Sequence, residues 1–127
     1  MTLNEIGGQA RAVSRILNSL GSREKNIGLE EAARALLEIL AANEADYEMA
    51  RQKGMSQGLL DRLRLTPARV QSMADGLLKV ASLEDPVGEV ISMKLRPNGL
   101  KIGQKRVPLG VIGMIYEARP NVTADAA

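Results

Sequence analysis

The stretch Glu117-Ala118-Arg119-Pro120-Asn121 is the part of this chain best equipped for chemistry. It follows a long apolar run, Val107 to Tyr116, and Pro120 and Thr123 then signal a helix start. Ligands of open α/β sheets bind beyond the carboxyl ends of the strands, and a polar loop between strand and helix stands there. The loop is rich in groups suited to anion and carbonyl chemistry. Arg119 carries a guanidinium, which suits bidentate recognition of phosphate or carboxylate. By residue type alone, Arg119 is equally an exposed surface residue or an ion-pair partner of Glu117, an energetically minor pairing. Asn121, just before the expected helix, reads by residue type alone as a cap.

Other chemistry is excluded by composition. The 127 residues contain no cysteine and no histidine. A thiolate nucleophile, an imidazole base and zinc sites built from either side chain are therefore impossible within this chain. No disulfide can form, as expected in a reducing compartment. Hydrophobic residues make up 45% of the chain and aromatics only 2%, so the core must be built from Leu, Ile, Val, Ala and Met. The net charge of +2 is too small an excess to argue for nucleic acid. The N-terminus lacks the basic-then-apolar order of a signal peptide, and no apolar run approaches membrane-spanning length. The expectation is a cytoplasmic chain that engages neither membrane nor nucleic acid.

The elements that must position the loop are legible from periodicity. Thr2-Leu-Asn-Glu5 has capping-box spacing, and Ile6, Ala10, Val13, Leu17 and Leu20 then share a helical face up to Gly21, an expected C-terminal cap. Ser22 starts a second helix, with Asn43-Glu-Ala-Asp46 expected to break it near Ala42 and Gly54 to stop it. A short amphipathic helix is predicted over 57–63. Thr66-Pro67 starts another that runs to about Leu83. Asp85-Pro86 ends the helical part. Glu89 to Leu95 then alternates as a strand, Asn98-Gly99 forms a hairpin turn, and Leu100 to Ile102 returns. Val107 to Tyr116, apolar on both faces, reads as a strand buried within a parallel sheet.

Arg96-Pro-Asn-Gly-Leu100 and the block Val107-Pro-Leu-Gly-Val-Ile-Gly-Met-Ile-Tyr-Glu-Ala-Arg-Pro-Asn121 resemble the gamma-glutamyl phosphate reductase family, in the aldehyde dehydrogenase superfamily. Ile39-Leu-Ala-Ala-Asn43, Leu60-Asp-Arg-Leu63 and Asp85-Pro-Val-Gly88 add to the likeness, which covers nearly the whole chain. So many residues in one order at fixed offsets form a far more specific signal than a lone Pro-x-Gly-Val. The resemblance implies an α/β fold of aldehyde dehydrogenase type. Residues 1–84 would be the helical N-terminal part of the cofactor domain, 85–106 a hairpin for oligomerisation, and 107–127 the first strand, loop and helix start of a Rossmann-like sheet. It also implies NADPH-dependent reduction of gamma-glutamyl phosphate to glutamate 5-semialdehyde through a cysteine thioester, in proline biosynthesis. The implied partners are further copies of the chain and glutamate 5-kinase.

By the same resemblance, Asn121 would donate its amide to the substrate carbonyl oxygen, although the superfamily's usual Pro-Trp-Asn loop is shorter than the one here. Glu117, Ala118, Arg119 and Pro120 would border the cofactor. No Gly-x-Gly-x-x-Gly fingerprint accompanies them. The required cysteine is absent, and the chain stops in the first turn of a helix, so the expectation is an inactive fragment of a longer enzyme. Two other functions compete. Lys94, Arg96, Lys101, Lys105 and Arg106 could make the hairpin a nucleic-acid binder, but no aromatic residues are interleaved to stack on bases. The helices and protruding hairpin could instead form an interaction module.

Overall fold

The computed structural model describes residues 1–117 and 119–126. The described residues form helices α1 (Leu3–Leu17), α2 (Ser22–Ala35), α3 (Ile39–Gln52), α4 (Gln57–Leu63), α5 (Pro67–Ala81) and α6 (Asn121–Asp125), with strands β1 (Val90–Leu95) and β2 (Lys101–Lys105) between α5 and α6. A single 3₁₀ turn, Leu36–Glu38, joins α2 to α3. The backbone divides into two compact units. One comprises Met1–Ser22 and Glu84–Ile112; the other comprises Arg23–Leu83 and the segment from Gly113 onward.

In the first unit, α1 starts on the expected capping box: the Glu5 amide donates to Thr2 Oγ1 at 3.3 Å, and the Thr2 amide donates to Glu5 Oε2 at 2.7 Å. The helix closes at Asn18, before the expected Gly21. Ser19 explains the early end, because its amide and its hydroxyl both donate to the Ile16 carbonyl, at 2.9 and 2.7 Å. Local serine bonds of this kind compete with helix propagation.

The hairpin pairs β1 with β2 in antiparallel register, Leu95 opposite Lys101 and Val90 opposite Lys105. β2 extends three residues beyond the expected Ile102, and Ile91 is an extra residue in β1 that shifts the register between Val90 and Ser92. Asn98-Gly99 does not form a two-residue loop. The Gly99 amide donates to the Arg96 carbonyl at 2.9 Å, and the Arg96 amide to the Leu100 carbonyl at 2.8 Å, so Pro97, Asn98 and Gly99 make a three-residue loop. Proline favours the second position of such a turn, and Gly99 takes the left-handed residue after it, at φ +85°. Gly103 sits in a crowded place: a Cβ there would lie 2.9 Å from Met93 Cε and 3.2 Å from the Ser92 carbonyl oxygen, so one or both neighbours would have to shift.

In the second unit, α5 is central. Thr66 caps it, accepting from the Arg69 amide at 3.2 Å, with Pro67 in the first turn as expected. Its apolar face buries Val70 completely and Met73, Ala74 and Leu77 nearly so. Ala74 and Leu77 pack with Ala33 of α2, while Val70 and Met73 pack with Leu65, Ile39 and Leu40. The Asn26 amide nitrogen donates to the Ala81 carbonyl at 2.7 Å, tying α2 to the last turn of α5. α3 ends as expected at Gly54, where the Met55 amide reaches the Ala50 carbonyl and the Gly54 amide the Arg51 carbonyl, each at 3.1 Å, with Gly54 at φ +77°.

The break between α2 and α3 falls at Leu36–Glu38, not near Ala42. Asn43, expected to restart the helix, lies within α3 and is only 7% exposed. Its side chain donates to the Leu63 carbonyl at 2.9 Å and accepts from the Leu65 amide at 2.7 Å. It clamps the turn between α4 and α5, so both polar ends of the side chain are satisfied in the interior.

Val107 to Tyr116, expected as a sheet strand, joins no ladder. Val107 is 74% exposed and Leu109 90%. The described strands pair only with each other. A strand apolar on both faces depends on neighbouring strands and covering helices, and the described residues provide none for it. The Rossmann-like sheet is accordingly not present among them.

Candidate functional site

Three elements of the second unit, α4, α5 and α6, bound a groove of about 450 Å³. α6 begins at Asn121, where Pro120 and Thr123 signal a helix start. Its Ala124 packs on the cluster of Leu65, Val70 and Met73, seating it against α5. The Tyr116 hydroxyl forms a hydrogen bond with Thr123, which holds together the two sides of the expected loop.

The sequence-predicted site residues separate at this point. Arg119 and Asn121 line the groove. Glu117 and Pro120 are described but do not line it, and Ala118 lies outside the described residues. Asn121 does not cap α6; Pro120 occupies the cap position and makes no side-chain cap bond. The Asn121 amide nitrogen instead donates to Asp125 Oδ2 at 2.8 Å, one turn further on. The amide is thus exposed and oriented by a carboxylate. One N–H is spent on that carboxylate, and the second N–H of the amide remains available to donate.

Periodicity had no means of bringing in the groove's other lining residues. Arg62 and Arg64 come from the α4 end, and Arg69 from the first turn of α5. Arg69 is held in place: Nη1 donates to the Asp61 carbonyl at 2.5 Å and to the Arg64 carbonyl at 2.7 Å, while Nη2 faces the Asp61 carboxylate at 3.4 Å. The Arg64 guanidinium lies over the Tyr47 ring at 5.2 Å, a cation–π contact. Some 57 residues separate Arg62 from Arg119, so only the packing of α6 on α5 makes them neighbours of one groove. The nearest signal in the sequence was the Leu60-Asp-Arg-Leu63 stretch.

The basic hairpin is less cationic than its composition suggests. Arg106, just after β2, pairs with Glu89, just before β1, Nε to Oε2 at 2.7 Å. Its exposed side chains are as much apolar as charged, with Met93, Leu95 and Leu100 all more than half exposed. No described helix is long and apolar enough to cross a membrane.

No family model matches the chain. Curated relatives do. The gamma-glutamyl phosphate reductase of Moorella thermoacetica is 58% identical over 95% of this chain, and that of Clostridium novyi 56% over 97%. The chain spans about 30% of the length of each. Among solved structures, the gamma-glutamyl phosphate reductase of Thermotoga maritima superposes with a TM-score of 0.92 at 42% identity, covering 98% of this chain and 31% of its own. The Saccharomyces cerevisiae enzyme gives 0.85 at 32% identity, covering 99% and 33%. The backbone path of this chain is therefore similar to that of a portion of much longer proteins. In sequence and in backbone alike, the chain is similar along nearly all of its length to gamma-glutamyl phosphate reductases.

Proposed function

We propose that this chain serves within an NADPH-dependent reductase that converts gamma-glutamyl phosphate to glutamate 5-semialdehyde and phosphate, an activity of proline biosynthesis. The observation that carries the reading is 58% identity to a named reductase across 95% of the chain, together with a backbone likeness of TM-score 0.92. In this reading residues 1–84 form the helical part of a cofactor domain of aldehyde dehydrogenase type. Residues 85–106 form an assembly hairpin between copies of the chain, and 107–127 open a Rossmann-like sheet. The apolar character of 107–116 supports that last assignment, since neighbouring strands would cover Val107 and Leu109. Cytoplasmic residence and association with glutamate 5-kinase belong to the same reading.

The residues of this chain have defined tasks in that chemistry. The attacking cysteine must come from outside these 127 residues, which contain none. Asn121 donates one amide N–H to the carbonyl oxygen as negative charge develops there, and Asp125 orients the amide through the other. Glu117, Ala118, Arg119 and Pro120 border the cofactor. A guanidinium suits the phosphates of a dinucleotide, and Arg119 lines the groove beside Asn121, so the residues present fit such a group. When bound, NADPH supplies the hydride.

The test is an assay of the complete protein that carries this chain. Glutamate semialdehyde should reduce NADP⁺ only when inorganic phosphate is present, the reverse of the physiological reaction. Phosphate-independent turnover, or none with purified folded protein, would refute the proposal.

A further inference from the structure

We propose that the groove between α4, α5 and α6 is a phosphoryl-binding site, with Arg62 and Arg119 as its principal ligands. This deepens the reductase reading and rests on it for the identity of the ligand. Four arginines, Arg62, Arg64, Arg69 and Arg119, line the groove against two aspartates, Asp61 and Asp125. Both aspartates are engaged: Asp61 by Arg69, and Asp125 by the Asn121 amide. Arg69 is committed to backbone carbonyls and to Asp61, and Arg64 lies against Tyr47. Arg62 and Arg119 make no ion pair among the described residues, and they come from different elements, Arg62 from α4 and Arg119 from the segment just before α6. The surplus of two positive charges matches a dianion such as a phosphate monoester better than a single carboxylate or a zwitterion. Planar guanidiniums present paired donors that fit phosphate oxygens. A cavity of about 450 Å³ is ample for a phosphorylated metabolite.

In the reductase two molecules carry phosphoryl groups, the acyl phosphate and the dinucleotide, and both share this chemistry. Arg62→Ala and Arg119→Ala, in the complete protein, separate them. Inorganic phosphate binding, followed by ³¹P NMR titration without turnover, should weaken about tenfold in each variant, the loss of one charge-assisted hydrogen bond. If the KM for the acyl phosphate rises in parallel and NADPH binding is unchanged, the groove holds the substrate's phosphoryl group. If NADPH binding weakens in parallel, it holds a phosphate of the dinucleotide. Unchanged phosphate binding in both variants overturns the proposal. Arg62→Lys and Arg119→Lys keep the charge and guard against misfolding, and each should retain more of the affinity than its alanine counterpart. Phosphate binding is read without turnover, so a protein that binds phosphate through these arginines but reduces nothing would sink the reductase reading alone.

Discussion

Asn43 and Asn121 carry the same amide and use it in opposite ways. Asn43 is buried, with donor and acceptor both spent on the backbone of the α4–α5 turn. Replacing it with alanine leaves the Leu63 carbonyl and the Leu65 amide unpaired in the interior. Each such group costs about 1–3 kcal/mol, so Asn43→Ala should lower unfolding stability by about 2–4 kcal/mol in urea titration. Asn121 is exposed, and its one partner is a carboxylate on its own helix. On the proposed reading, Asn121→Ala should leave stability nearly unchanged while lowering the reductase kcat of the complete protein by about 10²–10³, the usual consequence of losing an oxyanion donor. A large stability loss with unaltered turnover would reverse that assignment.

At the scale of elements, the hairpin and α5 respond to different kinds of change. Gly103 sits where a side chain would collide with Met93 and with the Ser92 carbonyl oxygen. Met93 can swing aside, but the carbonyl is part of the ladder. Gly103→Val should therefore raise amide exchange across Lys101–Lys105 while the helical unit keeps its protection. Equal exchange in both proteins would show that the hairpin tolerates the side chain. α5 depends on its cap and on its buried face. Thr66→Ala removes the hydroxyl that accepts from the Arg69 amide and should cost about 1 kcal/mol. Val70→Ala deletes the most fully buried side chain and should cost about 2–3 kcal/mol from lost burial and the cavity left behind. Because α6 packs on the cluster that contains Val70, that substitution should also loosen the groove wall bearing Asn121.

At the scale of the whole molecule, the chain exposes much apolar surface. Leu109, Ile112 and Met114 lie open to solvent along the unpaired segment, and Ile91, Met93 and Leu95 along the hairpin. Uncovered apolar segments and free strand edges are templates for association. The 127-residue chain alone should self-associate as its concentration rises, and added salt should not reverse this, because the driving force is apolar. Sedimentation velocity at low and high salt checks the expectation. A cooperatively melting monomer at every concentration would show that the exposed segments fold back on the chain.

Local chemistry was decided within the sequence. The Thr2 and Thr66 caps, the Gly54 closure and the turn at Arg96–Leu100 all rest on residues a few positions apart, and bonds over that range need no tertiary partner. The likeness to reductases was carried in the same way, by residue order alone. Three features were decided only in three dimensions. Asn43 reads as a helix start until the turn at 63–65 reaches it and makes burial more favourable than a cap. Val107 to Tyr116 has the composition of a sheet strand, but hydrogen-bonded neighbours make a strand, and the described residues offer none. The groove depends on Ala124 docking against Leu65, Val70 and Met73, which brings Arg119 and Arg62 into the lining of one groove across more than fifty residues of chain. No periodicity can encode that meeting, because it arises from the packing of side chains whose spacing along the sequence is arbitrary.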